Sequence, residues 1–144
     1  MAYFYVKHDG TATGDNGRYA SIQSSSFATL GASGYYANIY AAINTPTTGP
    51  TDGDYILCSD LHNWSGVNGG NTAIPDGVKI ISVDDTAGNA YKPGATENQT
   101  DTALDYVYSG TAAVHYIAGM DLETGDDVLL GNAPETSLRL IDCV

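Results

Sequence analysis

Basic residues are scarce. Five Lys and Arg stand against seventeen Asp and Glu in 144 residues, for a formal net charge of −12. Lys7, Arg18, Lys79, Lys92 and Arg139 are dispersed along the chain and form no basic patch. A phosphate backbone or an anionic membrane surface is repelled by that balance, so neither nucleic acid nor membrane is an expected partner. No apolar run approaches the ~20 residues that a bilayer-spanning helix needs. Met1 to Lys7 shows no basic region followed by a long apolar stretch and a small-residue cleavage site, which predicts synthesis and retention in the cytoplasm. Cysteine is nearly absent. In a chain read as intracellular, Cys58 and Cys143 are expected as reduced, small apolar side chains without a disulfide. The sequons at Asn63 and Asn98 then carry little meaning.

Motifs for common chemistries are missing as well. His8, His62 and His115 are far apart in sequence; Cys58 and His62 stand four apart, but the second pair of a zinc site is missing. There is no Gly-x-Ser-x-Gly elbow and no Gly-rich phosphate loop. Asp121, Glu123, Asp126 and Asp127 form the densest acidic set, with Asp52 and Asp54 or Asp84 and Asp85 as lesser ones. The EF-hand pattern fails there, because Glu123 stands where Asp or Asn is expected, Gly125 falls one position early and the distal Glu is absent. These acids are read as solvated turns, and no metal or cofactor is expected.

What is abundant is Gly, Thr, Asn, Ser, Asp and Tyr, the vocabulary of short strands and tight turns. A chain of this length fits one domain. Eleven Tyr against two Phe suggest aromatic rings with a wet hydroxyl, either at an interface or as ordinary strand residues. Residues 1–32 hold the alternating run Tyr3-Phe4-Tyr5-Val6, the turn Asp15-Asn16-Gly17 and a serine-rich stretch, and read as an extended N-terminal arm or a plain surface segment. Tyr36, Ile39, Tyr40 and Ile43 recur at helical spacing behind Ser33 as N-cap, predicting a helix that stops before Pro46. Strands are predicted at Tyr55–Cys58, Val78–Val83, Leu104–Tyr108, Val114–Ala118, Val128–Leu130 and Leu138–Val144. Ile56 to Ile80, Ile80 to Leu104 and Ile117 to Ile141 each span 24 residues, an interval that suggests stacked coils. The expected fold is all-β: a short right-handed parallel β-helix over residues 33–144 with an N-terminal capping helix, or alternatively a β-sandwich.

The order of amphipathic helix, Pro/Gly loop, Asp52-Gly53-Asp54-Tyr55-Ile56-Leu57 and Ile74-Pro75-Asp76-Gly77-Val78-Lys79-Ile80-Ile81-Ser82-Val83 resembles the opening of pectin-lyase-like right-handed parallel β-helices, over roughly residues 35 to 144. In that family, the resemblance implies, a helix covers the first coil. The arm, with Ile81-Ser82-Val83-Asp84-Asp85-Thr86 and Pro93-Gly94-Ala95, is also similar to β-helical proteins encoded by tailed phages. That similarity implies a virion surface role (capsid decoration, cement or head fibre), assembly in the host cytoplasm, a homo-oligomer, and the major capsid protein or other virion proteins as partners. The alternative is a tail-fibre or tailspike-type protein that binds or depolymerises host polysaccharide.

Enzymatic members of the fold family set a test. Gly125-Asp126-Asp127 matches one polygalacturonase motif, but no Asn-Thr-Asp precedes it and no Gly-His-Gly follows, and glycoside hydrolysis requires two facing carboxylates. The lyase branch relies on basic residues, and Arg139 is the sole late candidate. No catalytic residue is assigned and no enzyme is expected. Candidate interface residues are Tyr3, Phe4, Tyr5, Tyr19, Phe27, Tyr36, Tyr40 and Trp64, the last in a polar loop where an indole would be half exposed. Removing residues 1–20 is then expected to abolish particle binding without unfolding the rest.

Overall fold

The computed structural model describes residues 1–66, 72–99, 106–108, 114–124, 128–130 and 137–143. Among the described residues the chain is rich in strands and its helices are short. It opens with β1 (Tyr3–Val6), β2 (Arg18–Tyr19), α1 (Phe27–Leu30) and α2 (Ile39–Asn44). Then come β3 (Tyr55–Ser59), β4 (Asn63–Gly66), β5 (Thr72–Ile74), β6 (Lys79–Val83), β7 (Ala95–Gln99) and β8 (Tyr106–Tyr108). It closes with β9 (Val114–Ala118), β10 (Met120–Thr124), β11 (Val128–Leu130) and β12 (Ser137–Ile141). Among the described residues these strands form a six-stranded sheet, β12-β9-β6-β3-β1-β2, and two three-stranded sheets, β10-β7-β4 and β11-β8-β5. From β3 onward every third strand therefore returns to the same sheet. All these neighbours run parallel except β1 and β2.

Side-chain alternation explains the core. Phe4, Ile56, Ile80 and Ile117 face one another in register on β1, β3, β6 and β9 and are all buried. With Ile74 of β5, Ala95 of β7 and Met120 of β10 they belong to one buried cluster that draws on all three sheets. Ile39 and Ala42 of α2 join it, so the helix lays its apolar side on the stack beside β1 and β5. On the outer face of the large sheet a second cluster joins Tyr5, Leu57 and Val83 to Phe27 of α1 and Tyr35. A strand covered on both faces reads as a continuous apolar run, which is why Tyr-Phe-Tyr-Val and Tyr-Ile-Leu-Cys show little polar alternation.

Three expectations need correction. Residues 1–32 do not extend away as an arm: β1 lies between β2 and β3, and Phe4, Tyr5, Val6 and Phe27 are fully buried. The helix starts at Ile39, with Asn38 as N-cap accepting from the Ala41 N–H at 2.7 Å, and not behind Ser33, which sits in the short 3-10 turn Ala32–Gly34. Tyr36 is drawn out of the helical pattern because its backbone bridges β1, through Tyr36 N to Tyr5 O (2.8 Å) and Lys7 N to Tyr36 O (2.9 Å). Gly10 permits that approach, since a Cβ there would collide with the backbone of Tyr35 and Tyr36. The interval of 24 holds for Ile56 opposite Ile80 only. Ile80 lies opposite Ile117, and Ile117 opposite Leu140, because the connecting segments differ in length; Leu104 lies outside the described residues.

Burial of the Tyr5 and Tyr36 rings pushes both phenols up to about 12. Between about pH 10 and about 12 the unfolded chain releases protons that the folded chain keeps, so stability is full below that window and falls as pH rises through it. Urea midpoints measured across the window should decline, and Tyr36→Phe should make the decline shallower.

A candidate binding face beside a buried acid–base pair

The eight aromatic residues singled out from sequence separate into two groups. Phe4, Tyr5, Phe27 and Tyr36 are fully buried, so in this fold they hold the N-terminal region together and offer no surface. Tyr5 packs edge-on against Tyr19 and Phe27 at 5.4 and 5.5 Å, and Phe27 meets Tyr35 at 5.4 Å. Tyr19 is half-buried and donates from its hydroxyl to Gly34 O at 3.0 Å. Tyr40 is half-buried on α2. Trp64 lies on strand β4, where a loop was expected, and its indole closes over Gly66. Only Tyr3 of the eight reaches the feature described next.

That feature is the part of the large sheet's outer face that α1 leaves open. In register across β1, β3, β6 and β9 stand Tyr3, Tyr55, Lys79 and Tyr116. The Tyr3 and Tyr55 rings stack at 5.4 Å with 17° between their planes. On the other side of Tyr55, the Lys79 ammonium sits 4.5 Å from the ring centroid and donates to the Tyr55 hydroxyl at 3.1 Å. Beside this ladder lie two clefts of about 260 and 240 Å³, both lined by Tyr55 and Ile81 and therefore contiguous. Leu57, Ile22 and Tyr91 add to the first; Tyr116, Ala118 and Ile141 add to the second. Ile22, Tyr91 and Ile141 are among the exposed large apolar residues. Sequence reasoning passed over this face because strand alternation marks Tyr55, Lys79 and Ile81 as outward, but not as neighbours of Tyr116.

The other two described lysines of the sheet region are neutralised. Lys7 meets Asp85 at 2.9 Å, and Asp85 also accepts from the Ser59 hydroxyl at 2.6 Å. Lys92 meets Asp60 at 2.7 Å and Asp84 at 3.4 Å, while Asp60 accepts from the Asp85 N–H at 2.7 Å. These contacts tie the turn after β3 to the turn after β6. Lys79 has no carboxylate partner among the described residues.

Inside the stack the sequence hid a second feature. His62 and Glu97, 1% and 0% exposed, meet with Nε2 to Oε2 at 3.1 Å. Both Glu97 oxygens also accept the Ile39 N–H, at 3.1 and 2.9 Å, so the carboxylate binds the first turn of α2 to β7. Of the two ring nitrogens of His62, Nε2 faces the carboxylate, and Nδ1 is buried with no hydrogen-bond partner among the described residues. The His8 ring lies 6.3 Å from that of His62. This pairing of acid and imidazole is closed off from solvent in this fold. Burial also raises the Cys58 thiol well above its usual range, with a smaller contribution from Glu97; both cysteines are free.

No group of His, Cys, Asp and Glu able to hold a metal occurs among the described residues, and no described helix is long and apolar enough to cross a membrane. Asp126 and Asp127 of the acidic set lie outside the described residues. Comparison with protein-family models, curated proteins and solved structures finds no match to the chain.

Proposed function

We propose that the chain is a non-enzymatic structural and binding module of a phage particle, built as a short right-handed parallel β-helix and docked on other virion proteins, the major capsid protein foremost, as a homo-oligomer. The observation that carries the binding role is the open outer face over β3, β6, β9 and β12, where Tyr55, Ile81 and Ile141 line contiguous clefts on an otherwise acidic chain. Apolar clefts open to water gain free energy when a partner covers them. The virion setting follows from the sequence resemblance to phage-encoded β-helical proteins.

Support for the β-helix comes from the strand order, in which three sheets are visited in rotation, and from parallel pairing of β3 through β12. An antiparallel sandwich would need pairings of the β1–β2 kind throughout. The right-handed sense rests on the strong preference of parallel crossovers for that hand. At one end α2 covers the stack; at the other, Leu140 stands opposite buried Ile117 yet is 60% exposed. The burial of His62 and Glu97 supports a structural reading of that pair.

Cryo-electron microscopy of particles assembled with and without the protein tests the proposal. Additional density on the outside of the shell in its presence is the expected result; identical maps would end the virion reading.

A further inference from the structure

We infer that the outer face between β3 and β9 is built to receive one extended, mainly apolar peptide segment of a partner protein, which seats two alternate side chains in the paired clefts and one carboxylate on Lys79. The inference names the partner chemistry of the face and rests on the binding role proposed above.

The lining selects the occupant. Leu57, Ile81, Ala118 and Ile141 supply aliphatic walls, and apolar side chains entering them leave water at roughly 25 cal/mol per Å² buried. An extended peptide presents alternate side chains to one side about 6.8 Å apart, between one and two strand spacings of about 4.8 Å. The two clefts share Tyr55 and Ile81, so they adjoin on the scale of neighbouring outward side chains of one extended segment. At the centre a pyranose finds no free aromatic face to stack on, because Tyr55 has Tyr3 stacked on it and the Lys79 ammonium over its ring.

Charge then limits the segment to one acid. Lys7 and Lys92 are held by carboxylates of the chain itself, whereas among the described residues the Lys79 ammonium meets the Tyr55 ring and hydroxyl and no carboxylate. A single carboxylate from the partner completes it. Further acids on the segment would meet the field of a chain carrying −12 and be rejected.

Panning a yeast-displayed library of random linear peptides against the full chain tests this. The expected pool carries apolar residues at two alternating positions with one Asp or Glu nearby. Its binding should fall about tenfold or more with Lys79→Glu and with Ile141→Asp, and persist with Lys79→Arg. Ile141 is 48% exposed, so its substitution leaves the core intact, and matching urea curves would verify that for each variant. Absence of any enriched pattern, or a pool that binds Lys79→Glu and Ile141→Asp as well as the parent, overturns the inference. Binding of acidic oligosaccharides that Lys79→Glu abolishes, with no peptide enriched, overturns it in favour of a glycan. Particle imaging remains a separate result: an enriched, variant-sensitive pool with bare particles removes the virion role and keeps the docking face. Normal decoration by the Lys79→Glu, Ile141→Asp double variant shows that particles are bound elsewhere.

Discussion

A chain lacking residues 1–20 is expected to lose its cooperative unfolding transition, not merely a partner. Deletion removes β1 and β2, which strips β3 of a parallel neighbour along Tyr3 to Val6. Phe4, Tyr5 and Val6 are each fully buried, and burial of a large apolar side chain contributes about 1.5–3 kcal/mol. The three together amount to roughly 5–9 kcal/mol, comparable with the whole net stability of an ordinary domain at about 5–15 kcal/mol. α2 also loses β1, one of the two strands it packs on, and the backbone of Tyr36 loses its bridge to β1. Thermal melts followed by far-UV circular dichroism should show a broad slope for the truncation and a sigmoid for the parent. An unchanged melt would contradict the placement of β1 in the sheet. Truncation is accordingly unsuited to mapping a docking surface, and point substitutions at Lys79 and Ile141 replace it.

Glu97→Ala is expected to destabilise the fold by about 2–6 kcal/mol, since each of two buried donors left without its acceptor costs about 1–3 kcal/mol. The loss has two parts. His62 Nε2 is left facing an apolar interior, and the Ile39 N–H at the start of α2 loses both carboxylate oxygens. Replacing both partners, as in His62→Leu with Glu97→Leu, should recover much of the first part because no stranded imidazole remains. It should retain a deficit of about 1–3 kcal/mol for the orphaned backbone donor. Urea unfolding of the two single variants and the double variant gives the coupling directly. Additive effects would mean that His62 and Glu97 do not act on each other. Hydrogen exchange at Ile39 separates the parts further, since its amide should lose protection in every variant that lacks Glu97.

Much of the strand content was legible from residues alone. Val114–Ala118 and Val128–Leu130 occur within the limits that β-branched and aromatic runs suggest, and Tyr55–Ser59 and Lys79–Val83 differ from expectation by one residue at one end. Among the strands that escaped notice, besides the short Arg18–Tyr19 and Thr72–Ile74, Asn63–Gly66, Ala95–Gln99 and Met120–Thr124 are rich in polar residues and owe their conformation to parallel partners, not to propensity. Glu97 is the clearest case. In Ala-Thr-Glu-Asn-Gln it reads as a surface acid, and only the parity that turns Ala95 inward carries Glu97 to His62 and α2.

Composition, charge and local apolar runs thus determined that the protein is acidic, rich in short strands and provided with a helix ending ahead of Pro46, because these depend on each residue and its immediate neighbours. Register, the burial of the N-terminal aromatics, the inward turn of Glu97 and the meeting of Tyr55, Lys79, Ile81 and Tyr116 on one face were decided by the tertiary structure. Parallel pairing joins residues separated by anything from 22 to 52 positions, as Val128 with Tyr106 and Tyr3 with Tyr55 show, and the lengths of the intervening connections set which residues become neighbours.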